Sequence, residues 1–184
     1  GHGNQAALES RQAVELLRMC LDAGYDRAQT LTAVNGMMLL AGQGERFTTV
    51  DLFLLDLWTG KASLDKLGAA GSYLMQAEGL SLLGGDALPL GILENVESGE
   101  KLMQLHQGDT LILLSDGVED AYENRQAMEE TIRDALTLET AQDAANAILT
   151  GAQSGDTAPA DDQTVLVLRL IRARADAKIE EMYQ

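Results

Sequence analysis

Apolar residues recur along this chain in two registers. Between Gln5 and Ala23, Leu8, Val14, Leu17 and Leu21 return at spacings of three to six, which predicts a helix stopped by Gly24. Asp26 reads as the cap of a second helix, Arg27 to Leu40, with Leu31, Val34 and Met38 on its apolar side and Gly42 and Gly44 at its end. Gly1 to Gly44 is therefore expected to be a helical hairpin. The register then becomes strand-like. Thr48 to Leu57 is apolar and β-rich, Trp58-Thr59-Gly60-Lys61 reads as a hairpin turn, and Lys61 to Leu67 answers it. Ser72 to Ala77 and Leu80 to Leu83 form a second hairpin around Glu78-Gly79. Gly84 to Asn95 is loop-like. Glu100 to Leu105 and Thr110 to Leu114 are expected to pair through Gln107-Gly108-Asp109. Amphipathic helices return at Arg125 to Leu136 and Thr140 to Gln153. Thr164 to Ile171 is the last strand, and Arg172 to Gln184 is a tail of mixed charge.

Strands joined mostly as hairpins, with helices grouped rather than alternating, predict an α+β fold whose sheet is largely antiparallel and covered by helices. At 184 residues one domain is the default. With only 4% aromatic residues, the core must be filled by Leu, Val, Ile, Met and Ala. The net charge of −16 argues against a nucleic-acid partner and against docking on an anionic membrane, both of which need a basic surface. No apolar run approaches the roughly 20 residues that span a bilayer. The lone cysteine, Cys20, excludes an internal disulfide. Its setting among Leu16, Leu17 and Leu21 predicts core packing, and it suits a reducing, cytoplasmic location.

The chemistry-bearing candidates are two acidic strand ends. Ser115-Asp116-Gly117 closes the apolar run Thr110 to Leu114, and Asp161-Asp162-Gln163 opens the run Thr164 to Leu170. Carboxylates on rigid strand ends can hold a hard cation such as Mg²⁺ or Mn²⁺. Asp-Gly is also an ordinary turn dipeptide, so the pair is informative chiefly because two such ends coexist. Gly1-His2-Gly3 could bring backbone groups to an anion, or be a flexible terminus. His106 reads as a surface residue. Thr48, Thr49 and Thr164 reflect β-propensity. Ser115 has no evident histidine partner for a hydrolase triad, and neither a P-loop nor a dinucleotide fingerprint is present.

Beyond these single features, the chain resembles the metal-dependent serine/threonine phosphatases of the 2C type, and within them the stage II sporulation protein E branch. Gly1-His2-Gly3 to Ser10 resembles the end of the branch's Asp-Gly-Met-Gly-His-Gly segment and the helix after it. Phe47-Thr48-Thr49-Val50-Asp51-Leu52 resembles its Thr-hydrophobic-Asp-Leu strand. Lys66-Leu67-Gly68-Ala69-Ala70 and Leu88-Pro89-Leu90-Gly91-Ile92 match further segments. Gly108-Asp109-Thr110 through Ser115-Asp116-Gly117 is the most specific match. Asp161-Asp162-Gln163-Thr164 resembles the closing Asp-Asp-Met-Thr, with Gln163 in place of Met. The resemblance implies two antiparallel sheets flanked by helices and two Mn²⁺ or Mg²⁺ ions. It implies hydrolysis of a phosphoserine or phosphothreonine monoester by water activated at the metal pair. The substrate expected for this branch is a phosphorylated anti-sigma-factor antagonist. Asp116 and Asp161 would be metal ligands, with Gly117, Asp162, Gly1 and Gly3 near the site. The first two helices would be a regulatory switch.

The family's bridging aspartate belongs to the Asp-Gly-Met that would precede Gly1, together with the first strands of the sandwich. Residues 1–184 are therefore expected to form a truncated single phosphatase domain: a switch-like helical hairpin at 1–44, sheets and helices at 45–172, and a charged tail at 173–184. Such a chain is expected to bind metal poorly, to have little activity and to expose a sheet edge that invites homodimerisation. Any membrane anchor of the parent would lie outside it. The competing reading is a non-catalytic, phosphatase-like interaction or regulatory module.

Overall fold

The computed structural model describes residues 4–42, 47–96, 99–154 and 161–171. Helices α1 (Asn4–Asp22) and α2 (Arg27–Gly42) form an antiparallel pair. Asp26 caps α2 as expected: its carboxylate accepts from the Gln29 amide at 2.8 Å, while the Gln29 side chain accepts from the Asp26 amide at 3.0 Å. The buried face of α1 is Ala13, Leu17 and Cys20, whereas Leu8 and Val14 are exposed. The expected apolar stripe was thus drawn partly through the solvent face, because the small Ala13 rather than the larger Val14 faces the neighbouring helix.

Seven strands follow: β1 (Val50–Leu55), β2 (Lys61–Leu67), β3 (Ser72–Gln76), β4 (Gly79–Leu83), β5 (Lys101–Gln104), β6 (Thr110–Leu114) and β7 (Val165–Arg169). They build two antiparallel sheets, ordered β1-β2-β5 and β4-β3-β6-β7. The hairpins at Trp58–Lys61 and Glu78–Gly79 form as predicted. The hairpin expected between β5 and β6 does not: β5 pairs with β2, and β6 pairs with β3 and β7. The link between them is a turn that changes sheets. Asp109 closes it by accepting from the His106 amide and from the Gln76 side chain, each at 2.8 Å, and Gly108 takes φ +98°. With its polar groups satisfied locally, this turn needs no ladder between β5 and β6.

Strand alternation sorts side chains onto the two faces of each sheet. On the outer face of the larger sheet, Tyr73, Ile112, Leu114, Val165 and Val167 pack against α4 (Arg125–Ala135) and α5 (Ala141–Gln153) through Met128, Ile132, Ala144 and Ile148. Both helices carry side-chain caps, Asn124 onto Ala127 and Thr140 onto Asp143, each at 3.0 Å. On the outer face of the smaller sheet, Leu52 and Leu67 share a cluster with Leu17, Cys20, Leu31, Val34 and Met38 of the helical pair. Cys20 is therefore core, as its sequence setting predicts. Between the sheets lie Ala62, Leu74 and Leu105. The charged tail from Arg172 and the segment Gly1–Gly3 lie outside the described residues.

Candidate active site

The acidic strand ends meet. β6 delivers Ser115 and Asp116, and Asp116 opens a one-turn helix, α3 (Asp116–Glu119), where the sequence predicted only a turn. Gly117 is needed there for proximity. A Cβ on it would lie 2.5 Å from the Asp162 carbonyl oxygen and 3.3 Å from the Asp161 carbonyl carbon. Only a residue without a side chain lets α3 seat on the Asp162 carbonyl. Three hydrogen bonds complete the junction beside the Ser115 amide bond to the Thr164 carbonyl at 3.0 Å. The Ser115 hydroxyl donates to the Asp162 carbonyl at 3.2 Å and accepts from the Thr164 amide at 2.9 Å. The Gln163 side-chain amide donates to the Gly117 carbonyl at 3.1 Å. Ser115, set aside as a nucleophile, is thus a staple between the two strand ends. Gln163 is a second staple.

Each aspartate uses one oxygen on its own turn: Asp116 Oδ1 accepts from the Gly117 amide at 2.9 Å, and Asp161 Oδ1 from the Asp162 amide at 2.8 Å. Their Oδ2 atoms take no protein hydrogen bond among the described residues. Each turn thus keeps one hard oxygen donor of the kind that suits a cation holding most of its coordination sphere as water, Asp116 on the wall of a cleft and Asp161 outside its lining. Among the described residues, however, no group of three or more His, Cys, Asp or Glu side chains is placed to hold a metal ion. Asp116 and Asp161 by themselves therefore do not make up a metal centre among the described residues.

Asp116 opens onto a cleft of 280 Å³ between the sheets, lined also by Thr49, Asp51, Ala69, Leu113 and Thr164. Asp51 carries a signal that went unused. It stands opposite Lys66 in the β1–β2 register, an acid and a base both pointing into the space between two apolar sheets. Lys66 donates to Asp51 Oδ1 at 2.7 Å and to the Ser72 hydroxyl at 2.9 Å. His106 is exposed, as expected, and sits at the opposite end of β6 from Asp116. Gly1, His2 and Gly3 lie outside the described residues.

This architecture, two helix-flanked antiparallel sheets with acidic strand ends, is that of the PP2C-type protein phosphatases. The family model for stage II sporulation protein E matches residues 1–171, and the chain belongs to that family. It is 30% identical over 118 residues to stage II sporulation protein E of Priestia megaterium, covering 64% of this chain and 20% of that protein. Among solved structures, it superposes on the PP2C phosphatase domain with a fragment of the regulatory domain of SpoIIE from Bacillus subtilis. The TM-score is 0.80 at 27% identity, over 92% of this chain and 52% of that one. The fold also matches the catalytic domain of the serine/threonine protein phosphatase PstP in complex with two manganese ions, with a TM-score of 0.69 at 20% identity, over 88% and 82% of the two chains. No described helix is long and apolar enough to cross a membrane.

Proposed function

We propose that the cleft at the ends of β6 and β7 belongs to a serine/threonine phosphoprotein phosphatase that uses Mn²⁺ or Mg²⁺, with a phosphorylated anti-sigma-factor antagonist as its substrate. The observation that carries this reading is the seating of Gly117 on the Asp162 carbonyl, which unites the two acidic turns that match the family. Asp116 and Asp161 would hold an ion. When bound, it supplies Lewis-acid charge against phosphoryl oxygens and makes water a better nucleophile. Ser115 and Gln163 hold the two turns in register, so the carboxylates are presented without reorganisation. The substrate class rests on the family resemblance, and PstP with its manganese ions supports the choice of metal.

Asp116 and Asp161 form only part of a two-ion donor set, so residues 1–184 by themselves should bind metal weakly and hydrolyse little. We assign the helical pair a regulatory, switch-like part. Within the described strands, β1 pairs only with β2, and its other edge offers free backbone groups to a second copy of the chain. The absence of a three-carboxylate cluster among the described residues also favours a second reading, a non-catalytic module of phosphatase fold.

The test is Mn²⁺-dependent release of phosphate from a phosphoserine protein, using residues 1–184 and a form extended at its N-terminus, each with its Asp116→Ala variant. The enzyme reading expects activity in the extended form and a loss of at least about a hundredfold on substitution. Equal activity of the extended form and its variant would overturn the site assignment. Metal-independent inertness of the extended form would favour the module. Strong activity from residues 1–184 alone would refute the expectation of a weak site.

A further inference from the structure

The junction that holds Asp116 has a second support that the staples do not explain. Lys66 is fully buried, with 0% of its side chain exposed, in the space between two sheets. Removing an ammonium from water is costly unless it is paired and hydrogen-bonded. Lys66 is both. Asp51 takes one hydrogen bond, and Ser72 of the opposite sheet takes another. The Ser72 hydroxyl also lies 3.4 Å from Asp51 Oδ2, which closes a three-residue clamp across the sheets. Gly85 covers it. A Cβ there would lie 2.9 Å from Lys66 Cβ, so the backbone lies directly on the lysine stem.

The clamp leads to the site by two short routes. Ser72 is the β-ladder partner of Leu113, three residues before Asp116. Gly71, beside Ser72, donates its amide to Glu119 Oε2 at 3.2 Å, and Glu119 ends the helix that Asp116 begins. The Gly71–Ser72 segment is therefore gripped on one side by Lys66 and on the other by the helix of Asp116. Asp51, the remaining member, is on the wall of the same cleft as Asp116. We propose that Lys66 is a positioning residue for the Asp116 turn, acting through Ser72, and that it fixes Asp51 on the cleft wall. A buried ion pair serving stability alone could be replaced by apolar residues of similar volume at little cost. One serving position could be replaced at little cost in stability too, but the segment it holds would loosen.

The inference rests on reading the cleft as the phosphatase centre, and its test uses a readout that does not need turnover. The double variant Asp51→Leu with Lys66→Met replaces the pair by apolar side chains. Its thermal midpoint is expected to stay near that of the unaltered protein, while amide hydrogen exchange across residues 113–117 accelerates between roughly three- and tenfold, the loss of about one buried hydrogen bond. Should the double variant not fold, Ser72→Ala removes only the hydroxyl, and the same segment should exchange faster. Unchanged exchange at 113–117 in whichever variant is folded overturns the proposal. In a form that dephosphorylates a phosphoprotein, kcat should fall about ten- to a hundredfold with KM little changed. If the unaltered extended protein is inert, the phosphatase reading fails, and the exchange result still decides the role of Lys66.

Discussion

Helices α4 and α5 lie on the outer face of β3, β6 and β7 through a seam of Met128, Ile132, Ala144 and Ile148 against Tyr73, Ile112 and Leu114. The α1–α2 pair meets its own sheet and the loop after β4 through a seam in which polar bonds are interspersed with an apolar cluster. Arg27 pairs with the buried Asp65 of β2 and with Glu100, at 2.9 Å for the latter. Asn35, itself buried, donates to the carbonyls of Leu93 and Glu94 at 2.8 and 3.3 Å and accepts from the Gly91 amide at 2.8 Å. The acidic turns grow from the apolar side and inherit its rigidity. The helical pair is attached by directional bonds as well as by its apolar cluster, and such bonds can be exchanged one at a time for others. A scaffold for carboxylates needs the first kind of seam, and the second kind suits the regulatory part proposed for the helical pair.

The largest test of this contrast is Ile132→Ala. It should cost about 3–4 kcal/mol, measured by denaturant unfolding, because the side chain is fully buried in the apolar seam. Next comes Arg27→Met, expected to cost about 2–3 kcal/mol by leaving the Asp65 carboxylate without its guanidinium in a buried site. Limited proteolysis should then release the helical pair first while β6 stays protected. Simultaneous loss of both regions would break the comparison. Gly117→Ala follows at about 2 kcal/mol, since the Asp162 carbonyl must move to admit a methyl group. Any Mn²⁺ affinity should drop with it in a titration.

The smallest effect carries the opposite sign. The Tyr73 hydroxyl is buried and has no hydrogen-bond partner among the described residues, so Tyr73→Phe should stabilise by about 1 kcal/mol. Burial also raises the Tyr73 and Tyr122 phenols above their ordinary value. A folded-state value above the unfolded one means that stability is intact below about pH 10 and is lost as pH rises through the folded value. Tyr73→Phe should make that alkaline loss shallower, which a series of melts above pH 9 would show. An unchanged slope would place the burial cost elsewhere.

Much of this was readable in one dimension because local rules act over a few residues. The cap at Asp26, the hairpin at Trp58–Lys61 and the burial of Cys20 each follow from neighbours in the chain. The β5–β6 hairpin was misread because its turn has hairpin spacing, and only the Asp109 hydrogen bonds show that it changes sheets. Gly117 was readable as a glycine that mattered, and misread as a turn former. Its reason is a peptide more than forty residues away in sequence. Ser115 and Gln163 gave no signal, since a staple between strand ends looks like any polar residue until the ends are adjacent.

The sequence by itself determined the α+β class, the two acidic strand ends and the family pattern that links them, because periodicity and motif order are properties of neighbouring residues. Tertiary structure decided that the two ends touch, that a glycine permits it, and that a buried lysine ties their sheet to the other. Contacts between residues distant in sequence depend on where two sheets stack. That stacking is set by the sum of many side-chain volumes, which no local pattern encodes.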